Sequence, residues 1–283
     1  MWEPRGHADM YGAVITDPVT PDGDLGVLFL HNEGFSTMCG HGVIALTTVV
    51  LETGIVVKSE GDPEIRIDTP AGRVTSKARI ENGRIASVTF RNVPSFAFLL
   101  DRQIEVPGLG TIRFDIAFGG AFYAFVGAAD AGLTLDGNHF RELIDAGKRV
   151  KRAVAASVDV EHPDGTDLGF LYGTIFVGEA GNPSRHSRNV CVFADGEVDR
   201  SPTGTGVSAR AALLSARGEL GHGETITVES ILGTCFDVRV VGTTRAGSHA
   251  AVIPEVTGSA HITGESRWVF DPRDPLREGF ILR

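Results

Sequence analysis

The sequence is poor in the residues that build disulfide scaffolds and metal sites. Its 283 residues include three cysteines, and neither these nor the nine histidines follow the spacing of a zinc site. Three cysteines cannot all pair within one chain, which excludes a complete disulfide framework and favours a reducing compartment. We therefore predict a cytoplasmic protein in which none of these residues is a metal ligand.

Long hydrophobic runs and an excess of basic residues are also missing. No apolar stretch reaches the ~18 residues that a membrane-spanning helix needs, and the first residues have no signal-peptide pattern. The 26 Lys and Arg residues are outnumbered by 36 Asp and Glu residues, for a formal net charge of -10. These absences argue against a membrane or a nucleic acid as partner.

Glycine, in contrast, is abundant. The chain has 36 glycines, and they lie between apolar runs, which predicts tight turns and close backbone approaches rather than disorder. Hydrophobic residues make up 42% of the chain, enough for a large core, and the length suits two domains of ordinary size.

One glycine-rich pattern occurs twice. Cys39-Gly-His-Gly-Val43 and Thr203-Gly-Thr-Gly-Val207 each open an apolar stretch, and these stretches end at Gly54 and Gly218, at the same distance. Each copy predicts a turn followed by a helix of about four turns. Because helix N-termini bind anions, two of them could face one ligand.

Strand patterns surround each helix and indicate two similar halves. The longest helical stretch is predicted at 136–157, and residues 92–107 are predicted to be a loose connection. Strands are predicted at 14–15, 25–30, 65–67, 73–80, 84–90, 111–117, 121–126, 168–177, 190–193, 224–228, 235–241 and 250–253. The Glu81-Asn82-Gly83 segment predicts a hairpin turn between two of these strands.

Cys39 is the strongest candidate for chemistry. A free cysteine is usually a small buried packing residue, and we assign that role to Cys191 and Cys235, which lie in strand patterns. Cys39 instead precedes a turn that opens a helix, where positive potential favours the thiolate. This position predicts a catalytic base.

Asp199 and His41 accompany the two turns. Asp199 precedes a stiff Pro- and Gly-containing loop, either as an ordinary capping residue or as a carboxylate beside the amides of Gly204 and Thr205. Amides and carboxylate together would match the charges of an amino-acid zwitterion. His41 is open to three interpretations: a donor to a carboxylate, a general base, or a helix cap.

Four segments resemble the proline racemase superfamily, and the resemblance extends from one end of the chain to the other. The chain shares with it an opening segment, two catalytic segments and a closing segment. These are residues 3–12 (EPRGHADMYG), 31–42 (HNEG, then MCGHG), 199–206 (DRSPTGTG) and 274–280 (DPLREGF).

The resemblance implies a role for each matching residue. Cys39 would accept the α-proton. The substrate carboxylate would bind Gly40, His41, Gly204 and Thr205, and its ring nitrogen would bind Asp199. Tyr11 and Phe193 would pack against the substrate ring. No cofactor is implied, the partner would be a small-molecule substrate, and the resemblance is compatible with a homodimer.

The threonine at position 203 indicates which branch of the family this chain resembles. Racemases and epimerases carry cysteine in both loops, whereas Cys39 with Thr203 resembles the trans-3-hydroxy-L-proline dehydratases. The implied reaction is dehydration to Δ1-pyrroline-2-carboxylate, with Thr203 positioning or helping to protonate the departing hydroxyl. The alternatives are a 4-hydroxyproline epimerase or proline racemase, and an inactive imino-acid-binding relative.

The implied fold is that of diaminopimelate epimerase. It is an α+β fold of two pseudo-symmetric domains, each a central helix wrapped by mostly antiparallel strands, with the active site between them. We predict domains at 1–108 and 109–261, the first completed by 262–283. Family members normally begin several dozen residues earlier with a His-Thr-x-Gly-Glu-Pro segment, so we expect an open sheet edge in the first domain.

Overall fold

The structure is a computed structural model that describes residues 2–58 and 61–282. Within these ranges it contains three α-helices, α1 (Gly40–Glu52), α2 (Phe140–Ser157) and α3 (Gly204–Ala216). The strands are β1 (Gly12–Thr16), β2 (Leu25–His31), β3 (Gly34–Ser36), β4 (Glu64–Thr69), β5 (Gly72–Glu81), β6 (Arg84–Arg91), β7 (Ser95–Val106), β8 (Gly110–Phe118), β9 (Phe122–Gly127), β10 (Leu171–Gly178), β11 (Ser187–Phe193), β12 (Glu197–Val198), β13 (Thr225–Glu229), β14 (Cys235–Ala246) and β15 (His249–Gly258). The α+β class is as predicted.

Helices α1 and α3 confirm the duplicated glycine-rich pattern. Each is 13 residues long and begins directly after Cys39 or Thr203. Each is followed by a glycine in the left-handed region, Gly54 with φ +72° and Gly218 with φ +75°. A glycine adopts this conformation without strain, which explains why both helices end where the pattern ends.

The strands around these helices repeat in the same order. Strands β1, β2, β4, β5 and β6 are neighbours in the sheet, and so are β10, β11, β13, β14 and β15. In each set the second and third strands pair in parallel, the others are antiparallel, and a short extra strand (β3 or β12) pairs with the second. The helix follows that short strand in both halves. The two halves therefore share one topology.

The second set closes on itself. Strands β7 to β11 and β13 to β15 form an eight-stranded ring, because β15 pairs with β7. Helix α3 lies inside this ring, with ten of its 13 residues buried. The amphipathic helix α2 packs on the outside against β10 and β11. Helix α1 packs against β5 and β6 of the first set.

Strand β7 corrects one prediction. Residues 92–107 were expected to be a loose connection, but Ser95–Val106 is a 12-residue strand. Its register shifts twice against β8, and Asp101 has a φ of +53°. These irregularities break the alternation of buried and exposed side chains by which a strand is recognised in a sequence.

Strand β1 is the terminal strand of the described sheet and pairs only with β2 there. This agrees with the open edge expected in the first half. The C-terminal segment packs on the N-terminal one through backbone hydrogen bonds between Glu3 and Phe280. No helix among the described residues is long and apolar enough to cross a membrane.

Candidate active site

The N-termini of α1 and α3 meet through two glycines. A β-carbon placed on Gly40 would lie 2.4 Å from the Gly204 Cα atom, and one placed on Gly204 would lie 2.5 Å from the Gly40 Cα atom. Both distances are far below van der Waals contact, so only glycine allows this approach. The first backbone N–H groups of a helix have no partner within it. The contact therefore brings two sets of amide donors to one place.

A small cavity lies at this contact. All nine residues that the sequence predicted for the site line it: Tyr11, Cys39, Gly40, His41, Phe193, Asp199, Thr203, Gly204 and Thr205. Cys39 and Thr203 thus share one cavity, as a site with one thiol and one hydroxyl requires. Their individual roles remain predictions.

Cys39 is the N-cap residue of α1 and is 5% exposed. Its backbone is extended, and its sulfur accepts a hydrogen bond of 3.3 Å from the Gly42 amide. The sulfur occupies the place of the oxygen that usually caps a helix, in the positive field of the helix end.

Asp199, which is buried, and His41, which is half-buried, form an ion pair beside the two helix ends. The His41 Nδ1 atom lies 3.1 Å from Asp199 Oδ2. Burial alone would lower the pKa of His41, but the charges of Asp199 and Cys39, and hydrogen bonds to both, raise it well above its usual value. Burial alone would raise the pKa of Asp199, but the positive His41 and the Ser201 amide bring it below the ordinary value. Both shifts favour the charged forms, an imidazolium beside a carboxylate.

Hydrogen bonds from both its hydroxyl and its amide hold Thr203 in place. Its hydroxyl donates to Asp199 Oδ2 at 2.9 Å, and its amide donates to Ser201 Oγ at 3.1 Å. Its φ of +69° lies in a region that β-branched residues rarely adopt. Because the hydroxyl hydrogen points to Asp199, Thr203 presents lone pairs rather than a free proton to the cavity.

Aromatic rings form one wall of the cavity. Tyr11 contacts His41 and Phe193 edge to face, with ring centroids 5.2 and 5.9 Å apart. Tyr172 stacks on Phe193 at 5.5 Å. A wall of flat apolar rings suits a small saturated ring such as an imino acid, and the resemblance implied this packing role for Tyr11 and Phe193.

Sequence reasoning missed two tyrosines of the site. Tyr123 and Tyr172 line the cavity with Tyr11, so all three tyrosines of the chain are there. Tyr123 shares a hydrogen bond of 2.8 Å with the Thr205 hydroxyl. Both residues lie in strands without a motif, and the only signal in the sequence was the rarity of tyrosine. Met38, which precedes Cys39, also lines the cavity.

The other two cysteines lie outside this cavity. Cys191 is fully buried in β11, and burial raises the pKa of its thiol well above the ordinary value. Cys235 is half-buried on a larger neighbouring cavity. Burial also raises the pKa of Cys235. Both environments fit the packing role predicted for them.

The site as a whole can hold a zwitterion. Amide donors from two helix ends suit a carboxylate, and Asp199 suits a positive nitrogen. The sulfur of Cys39 and the hydroxyl of Thr203 belong to residues that line the same cavity. Comparison with known proteins agrees with this arrangement. The family model described as proline racemase matches residues 1–281.

This chain belongs to the proline racemase family. A protein from Colwellia psychrerythraea named trans-3-hydroxy-L-proline dehydratase is 48% identical over 283 residues, covering all of this chain and 80% of that protein. A protein from Burkholderia multivorans named 3-hydroxyproline 2-epimerase is 47% identical over 283 residues, covering all of this chain and 84% of that protein. Sequence identity alone thus does not separate the two chemistries.

A solved structure of the same family has the same fold. The hydroxyproline epimerase of Agrobacterium vitis, with bound trans-4-hydroxy-L-proline, aligns with a TM-score of 0.95 and 34% sequence identity. The alignment covers all of this chain and 81% of that one. The predicted family and its fold are therefore confirmed, and the description as two like domains stays a prediction.

Proposed function

We propose that this protein dehydrates trans-3-hydroxy-L-proline to Δ1-pyrroline-2-carboxylate without a cofactor. The observation that carries the proposal is the asymmetry of the site: Cys39 and Thr203 head two facing helices and line one cavity. One side of the substrate would meet a sulfur base. The other side would meet a hydroxyl that does not ionise usefully near neutral pH.

The substrate carboxylate would bind the amides at the two helix ends, Gly40 and His41 on α1 and Gly204 and Thr205 on α3. An α-proton next to a carboxylate is a very weak acid, so its removal needs strong stabilisation of the developing negative charge. Oriented amides and two helix ends provide this stabilisation without reorganising during the reaction. Asp199 would hold the ring nitrogen.

Cys39 would remove the α-proton as a thiolate. His41 is positively charged and close to the sulfur, so it would favour the negative thiolate over the neutral thiol. The electron pair left on the α-carbon would form a double bond to C3 and expel the hydroxyl group as water. The enamine that results would tautomerise to the imine product.

The main rival is an epimerase or racemase. Inversion of the α-carbon needs a second acid on the opposite face, and Thr203 stands there with its hydrogen on Asp199. This observation favours elimination over inversion, although one relative is named 3-hydroxyproline 2-epimerase. The other rival is an inactive imino-acid-binding protein, which would bind hydroxyproline without turnover.

Two incubations distinguish these functions. With trans-3-hydroxy-L-proline, we expect an imine that reacts with o-aminobenzaldehyde; with trans-4-hydroxy-L-proline, we expect no inversion. Inversion of the 4-hydroxy compound without imine from the 3-hydroxy compound would support the epimerase. Binding measured by calorimetry, with neither product, would support the inactive protein.

We also propose the predicted two-domain organisation, supported by the repeated strand order and the equal helices. Strand β7 hydrogen-bonds with β8 and β15, so on this pairing the boundary predicted at 108 would lie before Ser95. The contact of Glu3 with Phe280 supports a first domain completed by 262–283. A cytoplasmic location and a homodimer remain proposals from the sequence.

A further inference from the structure

The stereochemistry of the proposed substrate places its leaving group on the Cys39 side. In trans-3-hydroxy-L-proline the hydroxyl and the carboxylate lie on opposite faces of the ring, so the hydroxyl and the α-hydrogen lie on the same face. The α-hydrogen must point to the base. If Cys39 is that base, the hydroxyl leaves on the sulfur side and away from Thr203. This inference rests on the proposed function.

Tyr172 offers a hydroxyl in this part of the cavity. It is 6% exposed, and its ring stacks on Phe193. Its hydroxyl is buried and has no hydrogen-bond partner of normal geometry among the described residues. Burying a polar group without a partner is unfavourable, so such a group in a binding cavity points to a ligand that completes it.

Several groups that act on the Tyr172 hydroxyl come from the half of the chain that carries Cys39. The Cys39 charge acts on its hydroxyl, and Ser36 and Tyr11 lie within electrostatic reach. The comparable hydroxyl of Tyr123 is already occupied by Thr205. Of these two tyrosines, Tyr172 is the one whose hydroxyl has no hydrogen bond of normal geometry.

The electrostatic setting keeps Tyr172 protonated. Burial raises the pKa of Tyr172 well above its ordinary value, and the Cys39 charge adds to this, while Ser36 and Tyr11 lower it. A protonated phenol can donate to a departing oxygen, which is far more basic than the phenol. His31 also packs against the Tyr172 ring, with centroids 5.6 Å apart.

We propose that Tyr172 is a further catalytic residue, which binds the 3-hydroxyl of the substrate and supplies the proton with which it leaves as water. This reassigns to the Cys39 side the protonating role that the sequence suggested for Thr203. Thr203 keeps a positioning role through Asp199.

Every proton that the reaction moves can be traced to the substrate or to a residue of the site. The C2–H bond breaks and its proton passes to the Cys39 sulfur, while its electron pair forms the C2–C3 double bond. The C3–O bond breaks, and the leaving oxygen takes the Tyr172 proton and departs as water. The thiol proton then returns to the Tyr172 phenolate through Tyr11, whose hydroxyl interacts with both Cys39 and Tyr172. Both residues regain their starting states.

The test compares two processes in the variant Tyr172→Phe, which keeps the stacked ring. We expect the kcat of dehydration to fall by about 10²–10³-fold, while exchange of the substrate α-hydrogen with D₂O, followed by NMR, persists. With trans-3-fluoro-L-proline, whose leaving group needs no proton, the loss should shrink to less than about tenfold. A purely structural role for Tyr172 would affect all three measurements alike.

Tyr123→Phe is the matched control, because it removes a hydroxyl from the same cavity. It should weaken substrate binding through Thr205 and leave the ratio of exchange to elimination unchanged. A second measurement needs no variant: cis-3-hydroxy-L-proline, with its hydroxyl on the Thr203 face, should exchange its α-hydrogen but eliminate at least about 10²-fold more slowly in the wild type.

The outcomes separate this proposal from the proposed function. If the wild type forms no imine from the trans isomer, the dehydratase function is wrong and the assignment of Tyr172 with it. If the wild type forms imine and Tyr172→Phe does so at the same rate, the Cys39 thiol itself protonates the leaving group and Tyr172 is not the donor. If the wild type eliminates water from the cis isomer as fast as from the trans isomer, the leaving group need not lie on the Cys39 side, and the assignment of Tyr172 is wrong.

Discussion

Thr203 shows how strongly single residues are constrained at this site. It holds a φ of +69° although it is β-branched. Such a conformation costs on the order of 1–3 kcal/mol and persists only where the surroundings enforce it. Here the enforcement is visible: the amide, the carbonyl and the hydroxyl of Thr203 are all hydrogen-bonded, to Ser201, Val207 and Asp199. These hydrogen bonds fix the Thr203 hydroxyl in the cavity that it shares with Cys39.

The first prediction concerns the base. Replacing Cys39 by serine puts a hydroxyl where a thiolate is needed, so kcat for dehydration should fall by about 10³-fold or more. The imine assay measures it. Cys235→Ser is the control, because it makes the same change outside the cavity and should retain activity. Substantial turnover by Cys39→Ser would rule out Cys39 as the base.

The second prediction concerns the opposite face. Thr203→Cys adds a second thiol there, so it should catalyse detectable α-carbon inversion of trans-4-hydroxy-L-proline, which we do not expect of the wild type. Chiral chromatography detects the inverted product. Thr203→Ser keeps a hydroxyl and should give no inversion. If neither variant inverts the substrate, the lack of a thiol at position 203 is not what prevents epimerisation by the wild type.

Some residues of the candidate site could be predicted from the sequence with precision, and others could not be predicted at all. Cys39 and Thr203 were predictable because glycine-rich turns mark helix N-termini, and a thiol there has a specific consequence. Tyr123 and Tyr172 were not, because their place in the cavity depends on how β9 and β10 pair in parallel across a long separation in sequence. Local patterns contain no information on such pairing.

At the scale of elements, the contact between α1 and α3 fixes the width of the site. Two helices that touch through backbone atoms cannot approach further, and they separate if either gains a side chain. Both helix ends also provide the amides proposed to bind the carboxylate. The geometry of anion binding therefore depends on one pair of glycines.

The third prediction tests this contact. Gly204→Ala would place a methyl group 2.5 Å from the Gly40 Cα atom, so the helices must move apart. We expect a loss of about 1–3 kcal/mol in the free energy of unfolding and at least about tenfold in kcat/KM. Urea titration and the imine assay measure the two effects. Gly165→Ala, where a β-carbon meets nothing within 4 Å, should be close to the wild type in both.

The elements themselves were largely predictable, with one instructive exception. Helices α1 and α3 follow from a capping position, a short apolar run and a closing glycine. Strand β7 was missed because its first part is apolar on both faces and its second part is mostly charged or exposed. It is a strand because β8 and β15 pair with it, which is a tertiary cause.

At the scale of the whole molecule, the repeated topology extends to two buried carboxylates. Asp68 ends the parallel pairing of β4 with β2, and Glu229 ends that of β13 with β11. Asp68 accepts hydrogen bonds from the amides of Val19 and Thr20, in the loop before β2. Glu229 does the same for Gly181 in the loop before β11. Each half thus fixes an equivalent loop with a carboxylate.

The charges around both carboxylates determine how the molecule responds to acid. Burial alone would raise the pKa of Asp68, but Arg73 and Thr20 lower it to about 2. Burial alone would raise the pKa of Glu229, but the Gly181 amide and Arg188 lower it to about 2. A pKa that is lower in the folded state than in the unfolded state stabilises the fold above the unfolded value. This stability is lost as the pH falls from about 4.5 to about 2.

The fourth prediction follows. The free energy of unfolding, measured by urea titration, should fall steadily between pH 4.5 and pH 2.5. Glu229→Gln should be less stable by about 3 kcal/mol at pH 6 and should lose less on acidification, because one titrating group is gone. Glu265→Gln, an exposed change, should follow the wild type. A parallel decline of Glu229→Gln and wild type would show that Glu229 does not contribute.

The duplication was predictable from the sequence because the glycine-rich pattern recurs with the same helix length. The closure of the ring by β15 and β7 was not, because it joins strands far apart in the chain through only two residue pairs. The equivalence of Asp68 and Glu229 was also hidden, since the two loops that they hold share no sequence pattern. Function was more predictable than architecture, because chemistry is concentrated in short motifs.

Because Gly40 and Gly204 are in contact, the spacing of the site does not depend on the residues that carry its reactive groups. The spacing of the two helix ends is set by main-chain atoms, which stay the same when the residue just before either helix is exchanged. A single substitution at position 39 or 203 can therefore alter which bond breaks while the anion cradle stays in place. An enzyme of this family could then change from elimination to inversion through a single amino-acid substitution, without a new binding pocket.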